Sequence, residues 1–367
     1  MTYRVTCLTP LLVGDGHRLS PIDYMVWKDQ VNVLDQHRIF KLLAKGPRLE
    51  GYLSQLRKAD KLDFASWGGF AQNFADRRIP FEHPSCSRYW DRATGDSVHI
   101  PTFARGLHGP YLPASALKGA LRTGVLFASL REGLLKTVAE RFASDRLPRH
   151  PAEAVEDEVL GRAGNSRMRF VRAGDSAPVD ASPFKVYLLR LATVTAARGD
   201  QWTLGWKQSP RGAVDSRRIE ESTPWFAEMA VPGAVFQGAW QERSANARGK
   251  IFQAVNQYAG AVLRLHKQYA EATGLEQVRA AVAALEDRLA SLHPEQACVL
   301  PLGWGGSLFG KTAWIEKDAA EYRALLGKVP FYARAVASGL PFPKTRRIVF
   351  EGGQPATLPG WVLLEVS

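Results

Sequence analysis

The segments with a strand pattern are spread along the whole chain, and helical or irregular stretches separate them. Apolar residues that alternate or cluster predict strands at Tyr3–Leu12, within Tyr24–Leu34 (a hairpin around Lys28-Asp29), at 184–195, at Trp202–Trp206, within Trp225–Trp240 (two strands hinged at Pro232-Gly233), at Ile348–Glu351 and at Gly360–Val366. No repeat of fixed length is visible. This order of widely separated strands predicts an α+β fold.

Helical patterns lie between these strands. Asp35 is expected to cap a helix that stops at Gly46-Pro47, and a second helix begins near Ala114. Residues 251–292 have the clearest amphipathic pattern, broken at Gly274, and their charged and alanine positions indicate a helical hairpin on the surface. A short helix is expected at Glu316–Leu326. We therefore divide the chain into a core (1–60 and 100–245) with an irregular insertion at about 61–110, a helical insertion (251–295) and a C-terminal part (296–367).

The excess of basic residues is concentrated in two windows. The chain has 48 Lys and Arg against 36 Asp and Glu, a net charge of +12. Residues 102–149 hold 8 basic and 3 acidic residues, and residues 160–219 hold 11 and 4, so the windows carry +5 and +7 and the remainder is neutral. Such a concentration indicates a surface that binds a polyanion, and a solvated basic surface is the alternative.

Composition excludes several other classes of protein. The three cysteines, Cys7, Cys86 and Cys298, are too far apart for a CxxC zinc site or a disulfide framework, and they suit a reducing cytoplasm. No HExxH or HxxxH spacing is present, so we expect no metal and no cofactor. No apolar run approaches the roughly 18–20 residues that cross a bilayer, and we expect neither a signal peptide nor a membrane partner.

The first stretch with chemical potential is Tyr111–Arg122. Pro113 restricts the backbone and Ser115 is expected to cap the helix start, so free N–H groups and the Ser115 hydroxyl would form a seat for a phosphate. Lys118 and Arg122 are four residues apart and share one helix face. Two cations beside such a seat suit a polyanion backbone, whereas the alternative is a capped helix with two solvated cations.

The second stretch is Leu302–Thr312, which we call the glycine-rich loop. Gly305–Thr312 matches the phosphate-loop signature G-x-x-x-x-G-K-[ST]. Only 55 residues follow it, too few for the parallel sheet and acidic magnesium partner of a nucleotide hydrolase, so that function is disfavoured. Glycine N–H groups with Lys311 could instead hold a phosphodiester, and Trp304 could either stack on a base or pack in the core.

Two shorter segments complete the set. Gly14-Asp15-Gly16-His17-Arg18, which we call the opening turn, follows the first predicted strand, and its glycines permit positive φ. Pro343-Lys344-Thr345-Arg346-Arg347 places three cations just before a predicted strand. These cations are either a solvated face or a contact to the same anionic ligand as the glycine-rich loop.

Taken in order, these stretches resemble the RAMP superfamily of CRISPR proteins. Thr9–Gly16 is similar to its opening T-P-hydrophobic-x-G-x-G strand and turn, and Pro113–Gly119 resembles its P-G-S-S-[IL]-K-G helix start, with Ala114 and Ala116 replacing a glycine and a serine. The glycine-rich loop, Pro343–Arg347 and Gly360-Trp361-Val362 resemble its C-terminal loop and its closing P-K-T-R and G-W-[VI] segments. Within the superfamily, the chain looks most like the backbone-capping subunits of type III-A (Csm) interference complexes.

The resemblance implies a modified ferredoxin-like, RNA-recognition-like core with long, partly helical insertions. It implies a non-catalytic subunit that holds the 3′ part of the guide RNA (crRNA), caps the filament of backbone subunits and supports crRNA maturation. Its partners would be crRNA, the neighbouring backbone subunit and host trimming nucleases. A basic groove with aromatic side chains suits single-stranded RNA. The expected RNA-binding residues are Gly14, Gly16, His17, Arg18, Ser115, Lys118, Arg122, Trp304, Gly305, Gly306, Lys311, Thr312, Arg346 and Arg347.

Four alternatives remain open. A kinase-like nucleotide hydrolase, the least favoured, would bind a nucleotide and lose that binding in Lys311→Ala. A metal-independent endoribonuclease of the same superfamily would use His17 or His108 as general acid or base in guide-RNA processing. A sister subunit of another type III subtype would have the same fold and a different place in its complex. A purely protein-binding scaffold would show RNA affinity that does not respond to salt.

Overall fold

The computed structural model describes residues 1–58, 61–62, 73–131, 133–141, 153–196, 202–208, 215–244, 246–315, 319–338 and 340–367. Its strands are β1 (Thr2–Cys7), β2 (Arg18–Leu19), β3 (Tyr24–Trp27), β4 (Gln30–Leu34), β5 (Ala75–Pro80), β6 (Ile100–Pro101), β7 (Arg105–Gly106), β8 (Gly109–Pro110), β9 (Val171–Ser176), β10 (Phe184–Ala196), β11 (Trp202–Lys207), β12 (Asp215–Ser216), β13 (Trp225–Ala230), β14 (Val235–Glu242), β15 (Ala297–Pro301), β16 (Thr345–Glu351), β17 (Gln354–Thr357) and β18 (Trp361–Val366). Its helices are α1 (Gln36–Leu43), α2 (Leu49–Lys58), α3 (Ser85–Arg92), α4 (Ala114–Ser129), α5 (Leu134–Arg141), α6 (Glu153–Leu160), α7 (Ala247–Thr273), α8 (Glu276–Ala290), α9 (Ala319–Gly327) and α10 (Pro330–Ala337).

Two antiparallel sheets form the centre of the molecule. The first has the strand order β15-β18-β1-β14-β9, so the first and last strands of the chain are neighbours. The second has the order β12-β11-β10-β16-β17, and β13 pairs with the first half of the long strand β10. These sheets and their helices confirm the α+β class of the modified ferredoxin-like core that the sequence predicts.

One apolar core joins the two sheets. In β1 the buried residues Tyr3, Val5 and Cys7 alternate with more exposed ones, as expected for a strand with one covered face. Their cluster of buried side chains also contains inward-facing residues of the second sheet. The rings of Phe184 in β10 and Phe236 in β14 lie 6.5 Å apart within it. The sheets are therefore parts of one core.

Helix α7 lies inside the molecule, which corrects the prediction of a surface helical hairpin at 251–292. Its side chains at Phe252, Val255 and Val262 are fully buried. It packs so closely on α4 that a Cβ at Gly124 would lie 2.7 Å from Val255. The side-chain amide of Asn256 bonds the Ala297 carbonyl and the Val299 N–H of β15, each at 3.0 Å, and so covers the edge of the first sheet.

The segment predicted to be an irregular insertion has regular structure where it is described. Strand β5 pairs with β4 and extends the hairpin β3–β4 to a three-stranded sheet. Helix α3 follows, and its Trp90 ring packs edge-on against Tyr24 at 6.0 Å between centroids. These elements cover the second sheet through Phe81, which bridges to Val186 in β10.

Several local predictions are confirmed. The hairpin turns at Lys28 and Asp29, which both have positive φ, and the Asp35 side chain caps α1 by accepting from the Arg38 N–H at 2.9 Å. Gly274, with φ +67°, ends α7, and the pair of strands β13 and β14 is hinged beside Gly233. None of the helices in the described ranges combines the length and apolar character needed to cross a membrane.

Candidate nucleic-acid interface

Three segments that are distant in sequence are joined around Leu12. The Trp304 N–H donates to the Leu12 carbonyl at 2.8 Å, so the glycine-rich loop lies on the end of the opening segment. Gly303 permits this contact, since its φ is +77° and a Cβ there would lie 2.1 Å from the Leu12 oxygen. The Gly360 N–H donates to the Pro10 carbonyl at 2.9 Å. The opening segment, the glycine-rich loop and the closing G-W segment therefore form one structural unit.

The opening turn is exposed and lies against the residue that follows β6. A Cβ at Gly14 would lie 3.0 Å from the Thr102 carbonyl oxygen, and Gly16 has φ +95°. The Nδ1 atom of His17 lies 3.1 Å from the Thr102 hydroxyl. Arg18 is exposed in β2. The turn thus presents an exposed imidazole and an exposed guanidinium on a backbone that requires glycine.

The start of α4 differs from the prediction. Pro113 is the N-cap residue and provides no side-chain hydrogen bond. The carboxylate of Asp175 in β9 accepts from the Ala114 N–H at 2.7 Å. The prediction that Ser115 caps this helix is therefore wrong. Asp175 also engages an N–H group of the expected phosphate seat, which reduces the number of N–H groups open to a ligand. Ser115 is exposed on the first turn.

Ser115, Lys118 and Arg122 share one face of α4, since their spacings of three and four residues match the helical repeat. Lys118 is half-buried and has no hydrogen-bond or ionic partner among the described residues. Arg122 forms an ion pair with Glu156 of α6, in which both side chains are partly exposed. The cation of Lys118 is therefore free to meet a ligand, whereas Arg122 would have to share its charge with Glu156.

A cavity connects α4 to the glycine-rich loop. Its volume is about 310 Å³, and Arg122, Lys311 and Thr312 contribute to its wall. Aromatic side chains of Trp314, Tyr322 and Tyr332 line it as well, with Glu156 and with apolar residues of α4, α5, α6 and α9. Lys311 is exposed and unpaired within the part of the chain that the structure describes. Lys311 and Arg122 are thus brought together, with Lys118 one helical turn away from Arg122.

The glycine-rich loop is not a phosphate loop of the nucleotide-hydrolase kind. In that motif a helix begins at the Lys-Thr pair, but residues 311–315 are not helical. The Thr312 hydroxyl accepts from the Trp314 N–H at 3.2 Å, and the Thr312 carbonyl accepts from the Tyr258 hydroxyl at 3.1 Å. Thr312 therefore holds the loop on α7.

The side chains of Trp304 and Arg347 pack against each other. The Arg347 guanidinium lies 3.7 Å from the centroid of the Trp304 ring and donates to the Trp304 carbonyl at 3.1 Å. Burial lowers the pKa of Arg347 to about 10, so it remains charged at neutral pH. One face of the indole is thus covered by Arg347, and both side chains are half-buried.

Arg346 does not fit the predicted role as an RNA contact. Its side chain is 5% exposed and lies 4.4 Å from the Tyr269 ring centroid. Its Nε donates to the Nδ1 atom of His266 at 3.1 Å, and burial lowers its pKa to about 10. Burial and the nearby Arg346 charge hold the pKa of His266 well below its usual value, which leaves the imidazole neutral and able to accept. Arg346 is an interior residue that links β16 to α7.

The two histidines considered for catalysis lie in different exposed segments. His108 is in the turn between β7 and β8, next to Leu107, whose side chain is 99% exposed. Among the described residues, the Thr102 hydroxyl is the one hydrogen-bond partner of the His17 ring, and the His108 ring has none. The described ranges also contain no group of three His, Cys, Asp or Glu side chains that could hold a metal ion.

Sequence reasoning missed the partners that come from distant segments. Asp175 at the start of α4, Glu156 on Arg122 and Thr102 on His17 lie outside every motif. Each is an ordinary polar residue in its own segment, so only the tertiary structure reveals its role.

Comparison with known proteins places the fold. The sequence profile of the RAMP superfamily matches residues 4–290, so the chain belongs to this superfamily. Among solved structures, a chain of the cryo-EM structure of a Csm-crRNA-target RNA ternary complex in a type III-A CRISPR-Cas system is similar over 100% of both chains, with a TM-score of 0.67 and 22% identity. The crystal structure of Csm5 from T. onnurineus is similar over 98% of this chain and 99% of that one, with a TM-score of 0.63 and 19% identity. No curated protein matches the sequence.

Proposed function

We propose that the protein is a non-catalytic RNA-binding subunit of a type III-A CRISPR interference complex. In this role it holds the 3′ part of the crRNA, caps the filament of backbone subunits and supports crRNA maturation in antiviral defence. Its partners are crRNA, the neighbouring backbone subunit and, during maturation, host trimming nucleases. The free cysteines, all buried, fit a cytoplasmic ribonucleoprotein.

The observation that carries this proposal is the meeting of cations from two distant motifs. Lys118 on α4 and Lys311 on the glycine-rich loop both lack a partner in the described ranges, and Arg122, one helical turn from Lys118, lines the same cavity as Lys311. Solvent-accessible cations beside aromatic rings are the features that bind single-stranded RNA. The full-length likeness to a chain of a Csm-crRNA-target RNA complex supports the same role.

Charge reversal in the assembled complex tests the proposal. The variant Lys118→Glu, Arg122→Glu, Lys311→Glu should co-purify with less crRNA, because three contacts to phosphate become repulsive. The matched control, Lys41→Glu, Lys45→Glu, Arg288→Glu, changes the charge equally at exposed positions elsewhere and should retain crRNA. If the first variant assembles with normal crRNA content, the assignment of the RNA site is wrong.

The capping role has its own measurement. Native mass spectrometry should find a fixed number of backbone subunits per complex when the protein is present and a wider distribution when it is omitted. An unchanged distribution on omission would refute capping and leave the RNA-binding proposal to the charge-reversal test.

Replacing the two exposed histidines distinguishes a nuclease from a non-catalytic RNA-binding subunit. His17→Ala with His108→Ala should leave crRNA processing unchanged, since the His17 ring bonds only the Thr102 hydroxyl within the described part of the chain. Normal assembly with lost cleavage would identify the protein as the endoribonuclease instead.

A further inference from the structure

A second cavity lies between α3 and β10, and it shares no lining residue with the cavity beside Lys311. Its volume is about 550 Å³. Arg88 and Arg92 of α3 line one side, and Arg190 of β10 contributes to its wall. Ser97, Ser222 and Thr223 line it as well, but the Ser222 and Thr223 hydroxyls already donate to the Ile219 and Gln208 carbonyls. The donors that remain for a ligand are chiefly the guanidinium groups of the three arginines.

Arg190 is the unusual residue of this cavity, because its side chain is 1% exposed. Its Nη1 donates to the Ile219 carbonyl at 2.8 Å and to the Ser222 hydroxyl at 2.6 Å. Its Nε has no hydrogen-bond partner in the described ranges, and no described carboxylate lies within 4.0 Å of the guanidinium. The Tyr89 ring lies 4.8 Å from Cζ. Burial lowers the pKa of Arg190, and the nearby Tyr89 and Glu220 side chains offset only part of this cost. A bound anion would offset more of it.

The rim of the cavity has cations on α3 and carboxylates opposite. Arg88 and Arg92 are exposed and one turn apart, so both extend from the same helix face. Glu220 and Glu221 lie across from them. Glu221 is already engaged, since it accepts from the Ser216 hydroxyl and lies 3.6 Å from Arg218. Three guanidinium groups face two carboxylates, which leaves a positive excess in the cavity.

We propose that this cavity binds the phosphate group of a nucleotide, with Arg190 as the buried anchor and Arg88 and Arg92 at the entrance. The planar, multiple N–H donors of guanidinium groups match the oxygens of a phosphate. The volume is in the range of small-molecule sites and exceeds what inorganic phosphate fills, so the ligand extends beyond the phosphate itself. Both a free nucleotide and the terminal nucleotide of an RNA carry this chemistry. The site is separate from the residues of the proposed crRNA contact.

The test uses the full chain and five probes: AMP, adenosine, inorganic phosphate, and a short RNA both with and without a 5′-phosphate. Isothermal titration calorimetry should detect binding of AMP and no binding of adenosine. AMP at 100 times its Kd should raise the Tm of the protein by about 3–4 °C. Inorganic phosphate should compete with AMP. A preference for the phosphorylated RNA over free AMP identifies an RNA end as the ligand, and the opposite preference identifies a free nucleotide.

Two variants locate the site. Arg88→Gln with Arg92→Gln, at exposed positions, should weaken AMP binding about tenfold, and Arg190→Met should abolish it. The control Arg243→Gln with Arg288→Gln removes the same charge from exposed positions outside the cavity and should bind AMP normally. Equal binding by wild type and the Arg88/Arg92 variant, equal binding of adenosine and AMP, or no AMP binding at all would overturn the proposal. Because Lys118 and Lys311 are unchanged in these variants, loss of the AMP response is distinguishable from loss of the proposed crRNA contact.

Discussion

Replacing Gly303 by alanine should detach the glycine-rich loop from the opening segment. The Gly303 backbone has φ +77° and ψ −155°, a region that is almost restricted to glycine. A Cβ there would lie 2.1 Å from the Leu12 carbonyl oxygen, which is the acceptor for the Trp304 N–H. The loop must therefore move away from Leu12 to accommodate the methyl group.

The free energy of unfolding should fall for two reasons. The disfavoured backbone conformation costs about 1–3 kcal/mol for a residue with a side chain. Removing the overlap with Leu12 requires a backbone shift of the kind that costs about 1–3 kcal/mol in overpacked sites. We expect a combined loss of about 2–6 kcal/mol.

Urea unfolding of the full chain measures this loss, with Gly306→Ala as the matched control in the same loop. A Cβ at Gly306 would meet nothing nearer than the Pro301 Cβ at 4.0 Å, so the control should change the free energy of unfolding by less than about 1 kcal/mol. Equal unfolding midpoints for the two variants would refute the argument that the Gly303 contact holds the loop.

Three further predictions follow from buried groups and close contacts. The pKa of His266 is held well below 6.5 in the folded state, so only the unfolded chain takes up a proton there as pH falls. The free energy of unfolding should therefore drop below pH 6.5 by up to about 1.4 kcal/mol per pH unit. Urea titrations of His266→Gln should lack this component, and an unchanged slope would contradict the assignment. Gly124→Ala should lower Tm and reduce the free energy of unfolding by about 1–3 kcal/mol, since its Cβ would lie 2.7 Å from α7. Gly119→Ala, whose Cβ would meet nothing within 4 Å, should raise Tm and increase the free energy of unfolding by about 0.5–1 kcal/mol. Equal Tm shifts for the two variants would contradict this prediction. Arg346→Met should lower the free energy of unfolding by about 1–3 kcal/mol, because the groups that accept from Arg346 lose their donor, while fluorescence titration should find unchanged RNA affinity; weakened RNA binding would restore Arg346 to the RNA surface.

Elements set by local signals could be predicted from the sequence. Asp35 caps α1 through its own backbone neighbours, Gly274 ends α7 with a positive φ, and Lys28-Asp29 forms the turn between β3 and β4. Each depends on residues within a few positions along the chain, so the sequence contains the whole signal.

Burial could not be predicted in the same way. Alanines in α7 indicate an exposed helix, but Ala259 and Ala261 are fully buried, and the neighbouring Gly124 permits a close approach of α4. The charge of Arg346 indicates a surface residue, but His266 and Tyr269 of α7 enclose it. These outcomes depend on partners about 80 residues or more away, which no local pattern encodes.

The proposed function depends most on one RNA-binding surface to which Lys118 and Lys311 would both contribute. The direct measurement is the affinity of the full chain for a single-stranded RNA as a function of salt, for wild type, for Lys118→Gln with Lys311→Gln, and for the control Lys41→Gln with Lys45→Gln. Each phosphate contact contributes about 0.7 to the slope of log K against log salt, so loss of both lysines should reduce the slope by about 1.4, and the control should retain it. A slope that is the same in all three proteins would contradict the account.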